Sequence, residues 1–450
     1  MAAGSPFSRG ADSRPPRGSP LAAQGRLPLA FMGVALAWLA FGTAWLAVQP
    51  GLLALPHAHP HVVALVHVWM LGFLVTVACG AVYQLAPVAL GATLWSERLG
   101  WWHFGLHAFG VPGMVWSFWR WDLAQLGHFG AAVALGAGLY AHNVWRTVRA
   151  SGRSGLVADS LRVSAGWLAG TVVIGLVLAA NRFWHFIPLD PLPLLRFHAH
   201  LGLAGFFGAL LQGVMFQLVP MFTLGEVQDW RLATGSFWIS QAALVGLLAA
   251  LLLRSAWGAT GAGLLLLAGY VGSARALAVV LRSRRKRALD PGVRAFIRGG
   301  AGLLVAGAGG LLLTWPGSRA GSAAGGWSAM GYGTVVIFGG LVPCFLGMLG
   351  KIVPFLTWMR AYGPHVGRHP TPSASGLGLP ACERMGLGLQ LASLLPLLVG
   401  TWNLSIIWLG AGMTIFAAGI VCFLVNQGWI LRHLWLAPAS PPSVVRQPSS

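Results

Sequence analysis

The sequence predicts an all-α polytopic membrane protein, with twelve transmembrane helices in three pseudo-symmetric four-helix repeats. Three observations predict it. The composition is 56% hydrophobic and 8% charged, which suits a bilayer-embedded bundle and not a soluble globule. The apolar residues fall in stretches of spanning length, divided by loops alternately rich and poor in arginine. And one segment occurs three times. His67-Val-Trp-Met-Leu-Gly72 runs on to Gly80-Ala-Val-Tyr-Gln84-Leu-Ala-Pro87. His200-Leu-Gly-Leu-Ala-Gly205 runs on to Gly213-Val-Met-Phe-Gln217-Leu-Val-Pro220. Thr334-Val-Val-Ile-Phe-Gly339 runs on to Gly347-Met-Leu-Gly-Lys351-Ile-Val-Pro354. The prolines lie 133 and 134 residues apart, and the first residue stands 20 before the proline in each copy. A period this regular marks an internal repeat.

Each element follows in order. Residues 1–26 are rich in Pro, Gly, Ser and Arg and read as a disordered tail. The first span, 27–48, leads into further spans, so it reads as a retained helix and not a cleaved signal. The second, 61–90, carries the first motif copy. The third and fourth, 98–119 and 122–147, complete a repeat of about 27–153. Spans 161–183, 194–223, 233–253 and 256–281 form the second repeat, about 161–287, with the motif on its second member. Spans 296–315, 327–358, 385–402 and 405–435 form the third, about 295–435. The Gly-rich stretches 317–326 and 363–380 mark flexible connectors. The membrane domain is 27–435, and the Pro/Ser-rich tail 436–450 reads as disordered.

Arginine sets the orientation. Arg9, Arg14, Arg17 and Arg26 precede the first span. Arg146, Arg149 and Arg153 follow the fourth. Arg282, Arg284, Arg285, Lys286 and Arg287 follow the eighth, and Arg360, Arg368 and Arg384 follow the tenth. Positive loops stay inside. Both termini are therefore placed in the cytoplasm, the setting reads as a bacterial inner membrane, and spans 2, 6 and 10 run from outside to inside. The net charge of +20 follows from this topology. With its basic residues set between apolar spans, the chain should partner membrane lipid and not nucleic acid. Cys79, Cys344, Cys382 and Cys422 form no CxxC pair, so neither a disulfide framework nor a zinc site is expected.

Histidines inside a membrane are costly and point to function. His67 and His200 open equivalent motif copies, about six residues into their helices, or roughly 9 Å below the outer surface. Each has apolar neighbours and no nearby carboxylate. A neutral imidazole bound to a metal satisfies such a site; so does a hydrogen bond to a carbonyl or hydroxyl across a helix interface. His198, two residues before His200, points about 200° away from it. The two cannot chelate one ion, but they can serve centres on opposite sides of the helix, unless His198 only meets water at the helix mouth. His57, His59 and His61 alternate in a short outer loop, so an extended chain would turn all three to one face, where they could hold copper or zinc; a solvated loop is the plainer reading. His103 and His107 share a helix face at i, i+4, with a chance pairing the plainer reading. Gly72 and Gly205, with Gly80, Gly213, Gly339 and Gly347, let helices approach closely, and their missing side chains also make room for a flat macrocycle. Lys351 reads as a snorkelling anchor.

These residues resemble the catalytic subunit (subunit I) of the haem–copper oxidase superfamily, whose twelve helices have pseudo-three-fold symmetry and whose ligands lie on helices 2, 6 and 10. His67 with Gly80-Ala-Val-Tyr-Gln-Leu-Ala-Pro87 is similar to the family's second helix, particularly in the nitric oxide reductase branch. Phe197-His198-Ala-His200 is similar to its His-x-His helix, which the family places on helix 10 and this chain on span 6. The chain also resembles the NnrS family. The resemblance implies a low-spin haem, of b type, held by His67 and His200. Its propionates would lie near the outer surface, within reach of Arg182 and Arg196, which otherwise read as interface arginines. It also makes copper possible, with an electron-donor protein or partner subunits. Yet the chain has no His-His pair for the copper site and almost no carboxylates within its spans. The expected function is therefore haem-based electron transfer or redox and nitric oxide handling without a complete haem–copper site. The alternatives are an oxidoreductase with an atypical second metal centre, and a transporter or scaffold that has lost haem and keeps the histidines as polar glue.

Overall fold

The structure, a computed structural model, describes residues 25–188, 190–317, 329–367 and 370–436. Residues 1–24 and 437–450, nearly all of the two tails expected to be disordered, residues 318–326 of the first connector, Trp327 at the head of the tenth span and Arg368 lie outside the described residues. Every regular element among the described residues is helical. Eleven of these helices are long and apolar enough to cross a membrane. They are α1 (Arg26–Val48), α2 (Pro60–Leu90), α4 (Leu123–Ala150), α5 (Leu156–Trp184), α6 (Pro191–Thr223), α7 (Trp230–Leu252), α8 (Ala256–Arg282), α9 (Pro291–Thr314), α10 (Ala329–Ala361), α11 (Pro380–Asn403) and α12 (Ile406–Leu436). The expected third span is also a long helix, α3 (Glu97–Arg120). It is less apolar than the others because glycines, tryptophans and two histidines dilute it.

Several helices begin up to five residues before the apolar stretch that announced them. The reason is local. Pro191, Pro291 and Pro380 stand at N1, where a missing N–H costs nothing. Asp122, Asp229 and Ser255 cap α4, α7 and α8 by accepting from backbone N–H groups at 2.8–3.1 Å. Three hairpins share one turn. Trp121, Arg254 and Leu404 take the left-handed conformation (φ 52–54°) immediately before the Asp or Ser that opens α4, α8 and α12.

The three motif-bearing helices are the innermost. α2, α6 and α10 are 72%, 72% and 67% buried across their apolar windows, against at most 50% for the others. They meet through Trp69, Phe338 and Phe416 and through Phe207 against Phe345, with ring centroids 4.9–5.8 Å apart. Glycine sets their outer contacts. A Cβ on Gly72 would stand 2.6 Å from the Trp38 ring of α1, and one on Gly205 2.9 Å from the Trp167 ring of α5. Gly80 meets Phe31 of α1, Gly213 meets Ser160 of α5 and Gly347 meets Gly292 of α9. Around this core α4 packs on α5, α8 on α9 and α12 on α1, so the outer helices close into a ring.

One backbone feature had no forecast in the sequence. Each motif helix widens into a π segment directly after the residue that opens its motif: Val68–Val75 after His67, Leu201–Phe207 after His200 and Val335–Leu341 after Thr334. A π turn shifts the hydrogen-bond ladder and frees carbonyls. At the fifth residue of each copy, a neighbouring helix supplies the missing donor. His107 Nε2 lies 3.2 Å from Leu71 O, Tyr270 Oη donates to Ala204 O at 3.4 Å and Gln390 Nε2 donates to Phe338 O at 2.6 Å.

Candidate functional site

His67 and His200 are held alike. Nδ1 of His67 donates to Val63 O at 2.7 Å, and Nδ1 of His200 donates to Arg196 O at 2.8 Å, each one turn back along its own helix. That bond fixes the tautomer and leaves Nε2 carrying the lone pair away from the helix. Both side chains are half-buried. Their rings face different neighbours. His67 packs on Phe118 of α3, centroids 4.4 Å apart, and His200 lies parallel to Tyr332 of α10, its Nε2 3.5 Å from the tyrosine Oη. At 3.5 Å that contact is at the limit of a hydrogen bond. Thr334, at the equivalent place in α10, is buried.

His198 points elsewhere, as its two-residue offset requires. Its ring lies against Gly175 of α5, where a Cβ would come within 2.9 Å, and its Nδ1 is buried without a hydrogen-bond partner. It is also within electrostatic reach of His67. Of the three imidazoles, the structure thus brings His198 towards His67, and His200 towards Tyr332.

The outer histidines divide among three roles. His59 accepts from the backbone N–H of His61 at 3.2 Å and so caps α2. His61 stacks on Trp119, centroids 3.7 Å apart. His57 sits near Arg196; its burial, and then the Arg196 charge, hold its imidazole below the ordinary histidine range. Among the described residues no group of three His, Cys, Asp or Glu side chains converges to hold a metal ion. Arg182 lies 5.8 Å over the Trp121 ring, and neither it nor Arg196 is in an ion pair among the described residues. Gly72 and Gly205 have their open sides filled by Trp38 and Trp167. In this structure they serve helix packing.

No protein-family model matches the chain, and no curated protein is significantly similar to it.

Sequence reasoning passed over three features. Tyr332 is one; it lies two residues before its motif copy, with no partner in sequence to announce it. The second is a buried polar cluster around α2, α3 and α4. Tyr83 Oη lies 3.0 Å from His103 Nδ1, Thr76 Oγ1 lies 2.8 Å from His107 Nε2, and Tyr140 packs on both Tyr83 and His103. His103 and His107 are buried, hydrogen-bonded core residues here. The third is Asp290, the partner of Lys351. Lys351, read as a snorkelling anchor, pairs with it instead, and Asp290 also binds Lys286 at 3.0 Å. Burial alone would raise the Asp290 carboxyl; Lys351 and Lys286 together hold it below the usual carboxylate range.

Proposed function

We propose that this chain is a haem-binding integral membrane protein of twelve spans in three repeats, with both termini cytoplasmic in a bacterial inner membrane. One observation carries the reading. His67 and His200 open matching motif copies, each immediately before a π segment, and each is anchored through Nδ1 so that Nε2 carries the lone pair, that of His200 meeting Tyr332 Oη at 3.5 Å. This donor set fits a haem iron, which takes neutral imidazole nitrogen in the axial position. A bound haem would supply one-electron redox chemistry and, with an open position, binding of a small gas. The protein's part is to hold two imidazoles in a fixed tautomer within apolar surroundings. Arg182 and Arg196, free of ion pairs among the described residues at the outer ends of α5 and α6, suit the propionates. The three shared hairpin turns, the equivalent carbonyl donors and the closed outer ring support the repeat. Exposed Trp102, Phe109 and Trp116 on α3, at 58–65%, support its lying in lipid. With no His-His pair and no three-ligand group among the described residues, the reading is electron transfer or nitric oxide handling and not oxygen reduction.

An optical spectrum of the purified protein, with metal analysis, tests this. A Soret band of a six-coordinate low-spin haem, lost in His67→Ala and His200→Ala, is the expected result. The Tyr332 contact favours a second reading, in which His200 is polar glue between α6 and α10 and no haem is bound. Under that reading there is no Soret band, and Tyr332→Phe destabilises the protein as much as His200→Ala does. Oxygen or nitric oxide consumption abolished by His198→Ala would instead indicate an oxidoreductase with a second centre, where copper is the candidate metal.

A further inference from the structure

A cavity of about 440 Å³ opens between the arginine-rich ends of α9 and α11, far along the chain from the histidines. Its wall is charged and apolar in a particular pattern. Arg294, Ile297 and Arg298 share one face of α9; Arg384, Leu387 and Gly388 share one face of α11. None of the three arginines is in an ion pair among the described residues. Arg298 is half-buried and faces the charge of Arg294 one turn away. Of the nearby carboxylates, Asp290 is taken by Lys286 and Lys351. Glu383 remains, and it is shared electrostatically among Lys351, Arg294 and Arg384. The cavity therefore keeps an excess of positive charge. The N-termini of α9 and α11 lie beside it and add their dipoles in the same sense. Arg298 stands seven residues into α9, roughly 10 Å along the helix, the depth of a headgroup and not of bulk water.

We propose that this cavity binds a phosphate-bearing anion, with the three guanidinium groups on the phosphate oxygens. Arg298 is half-buried beside the exposed Arg294 and Arg384, and with none of the three in an ion pair among the described residues they attract a counter-anion, whose phosphate geometry planar guanidinium groups match. The apolar part of the wall, Ile297 and Leu387, suits an acyl chain leaving the headgroup. Basic pockets between transmembrane helices on the cytoplasmic side take anionic lipid headgroups in this way. Gly388 keeps the entrance open: a Cβ there meets nothing within 4 Å. The proposal needs only that the chain lies in a membrane, and it stands or falls independently of haem.

The test is native mass spectrometry of the full-length protein, released from detergent after titration with phosphatidylglycerol, phosphatidylcholine or inorganic phosphate. Phosphatidylglycerol should be retained saturably, and roughly tenfold or more less tightly by the Arg298→Gln/Arg384→Gln double variant. Gly388→Trp, which fills the cavity and removes no charge, should weaken binding as well. Arg360→Gln, a basic residue outside the cavity wall, should leave it unchanged. Competition by millimolar inorganic phosphate would identify a free anion as the occupant, and its failure to compete a lipid. Equal retention of phosphatidylcholine, or unchanged phosphatidylglycerol binding in both cavity variants while their melting matches wild type, would overturn the proposal.

Discussion

Replacing Gln390 with leucine should destabilise the protein by about 1–3 kcal/mol. Gln390 Nε2 donates to Phe338 O at 2.6 Å, and both residues are 2% exposed. Leucine keeps nearly the same volume, so the apolar contacts survive and the carbonyl alone loses its partner. That carbonyl lies in the π segment of α10, and no water reaches it to compensate. The structure also ranks the three equivalent donors. Leu71 O retains Thr76 Oγ1 at 2.8 Å when His107 is removed, so His107→Leu should cost less than Gln390→Leu. Tyr270→Phe should cost least, below about 1 kcal/mol, because its bond to Ala204 O is already long at 3.4 Å. His107→Gln, which restores an amide donor, should recover part of the loss. Equilibrium unfolding in mixed micelles, followed by tryptophan fluorescence, gives the order directly. If Tyr270→Phe were the most damaging of the three, or Gln390→Leu were neutral, the donors would not be completing the π segments and the argument would fail.

Other outcomes follow from the same geometry. His433→Ala, which removes only a partner of Tyr362 at the arginine-rich end of α12, should leave any haem spectrum untouched where His67→Ala abolishes it. Asp290 has a depressed folded-state pKa, so its contribution is present above the unfolded value near 3.8 and is lost as pH falls through the lower folded value. Lys351→Met should therefore move the acid-unfolding midpoint upward and cost about 1–3 kcal/mol at neutral pH; an unchanged acid profile would show that Lys286 alone suffices. Leu404→Gly, at a half-exposed left-handed position, should raise stability by up to about 1 kcal/mol, and a drop in melting temperature would mean that its side chain matters more than its backbone.

Much of the architecture was legible because a membrane makes apolar length informative. The motif glycines marked close helix contacts, and the helices that carry them are the innermost. What stayed hidden was what depends on partners distant in sequence. α3 carries two histidines and four tryptophans because one face satisfies buried polar groups while the other meets the outside; hydropathy averages the two faces. Spacing placed His103 and His107 on one face but could not show that Tyr83 and Leu71 O were waiting there. The alternation of His57, His59 and His61 suggested convergence. The chain turns into α2 at His59 instead: the His59 and His61 rings stay 5.0 Å apart, but among the described residues no third ligand joins them. The π segments had no signal, since no residue type encodes an i→i+5 ladder.

The π segments also bear on what the histidines are for. A π turn inserts one extra residue, which rotates everything after it by about 100° relative to what precedes. It lets the first turns of α2 and α6 set His67 against α3 and His200 against α10 while the glycines beyond still face α1 and α5. If the histidines caused the distortion, α10 would lack it, because Thr334 stands in their place. α10 has it all the same, completed by the same kind of side-chain donor. The widened turn is thus a property of the shared scaffold and its packing. The imidazoles stand on two of three matching backbone positions, each oriented by a carbonyl one turn back. Packing alone gives no reason for two copies to accept the cost of a histidine in an apolar helix when the third manages with threonine. A haem held by both, as proposed, would supply one.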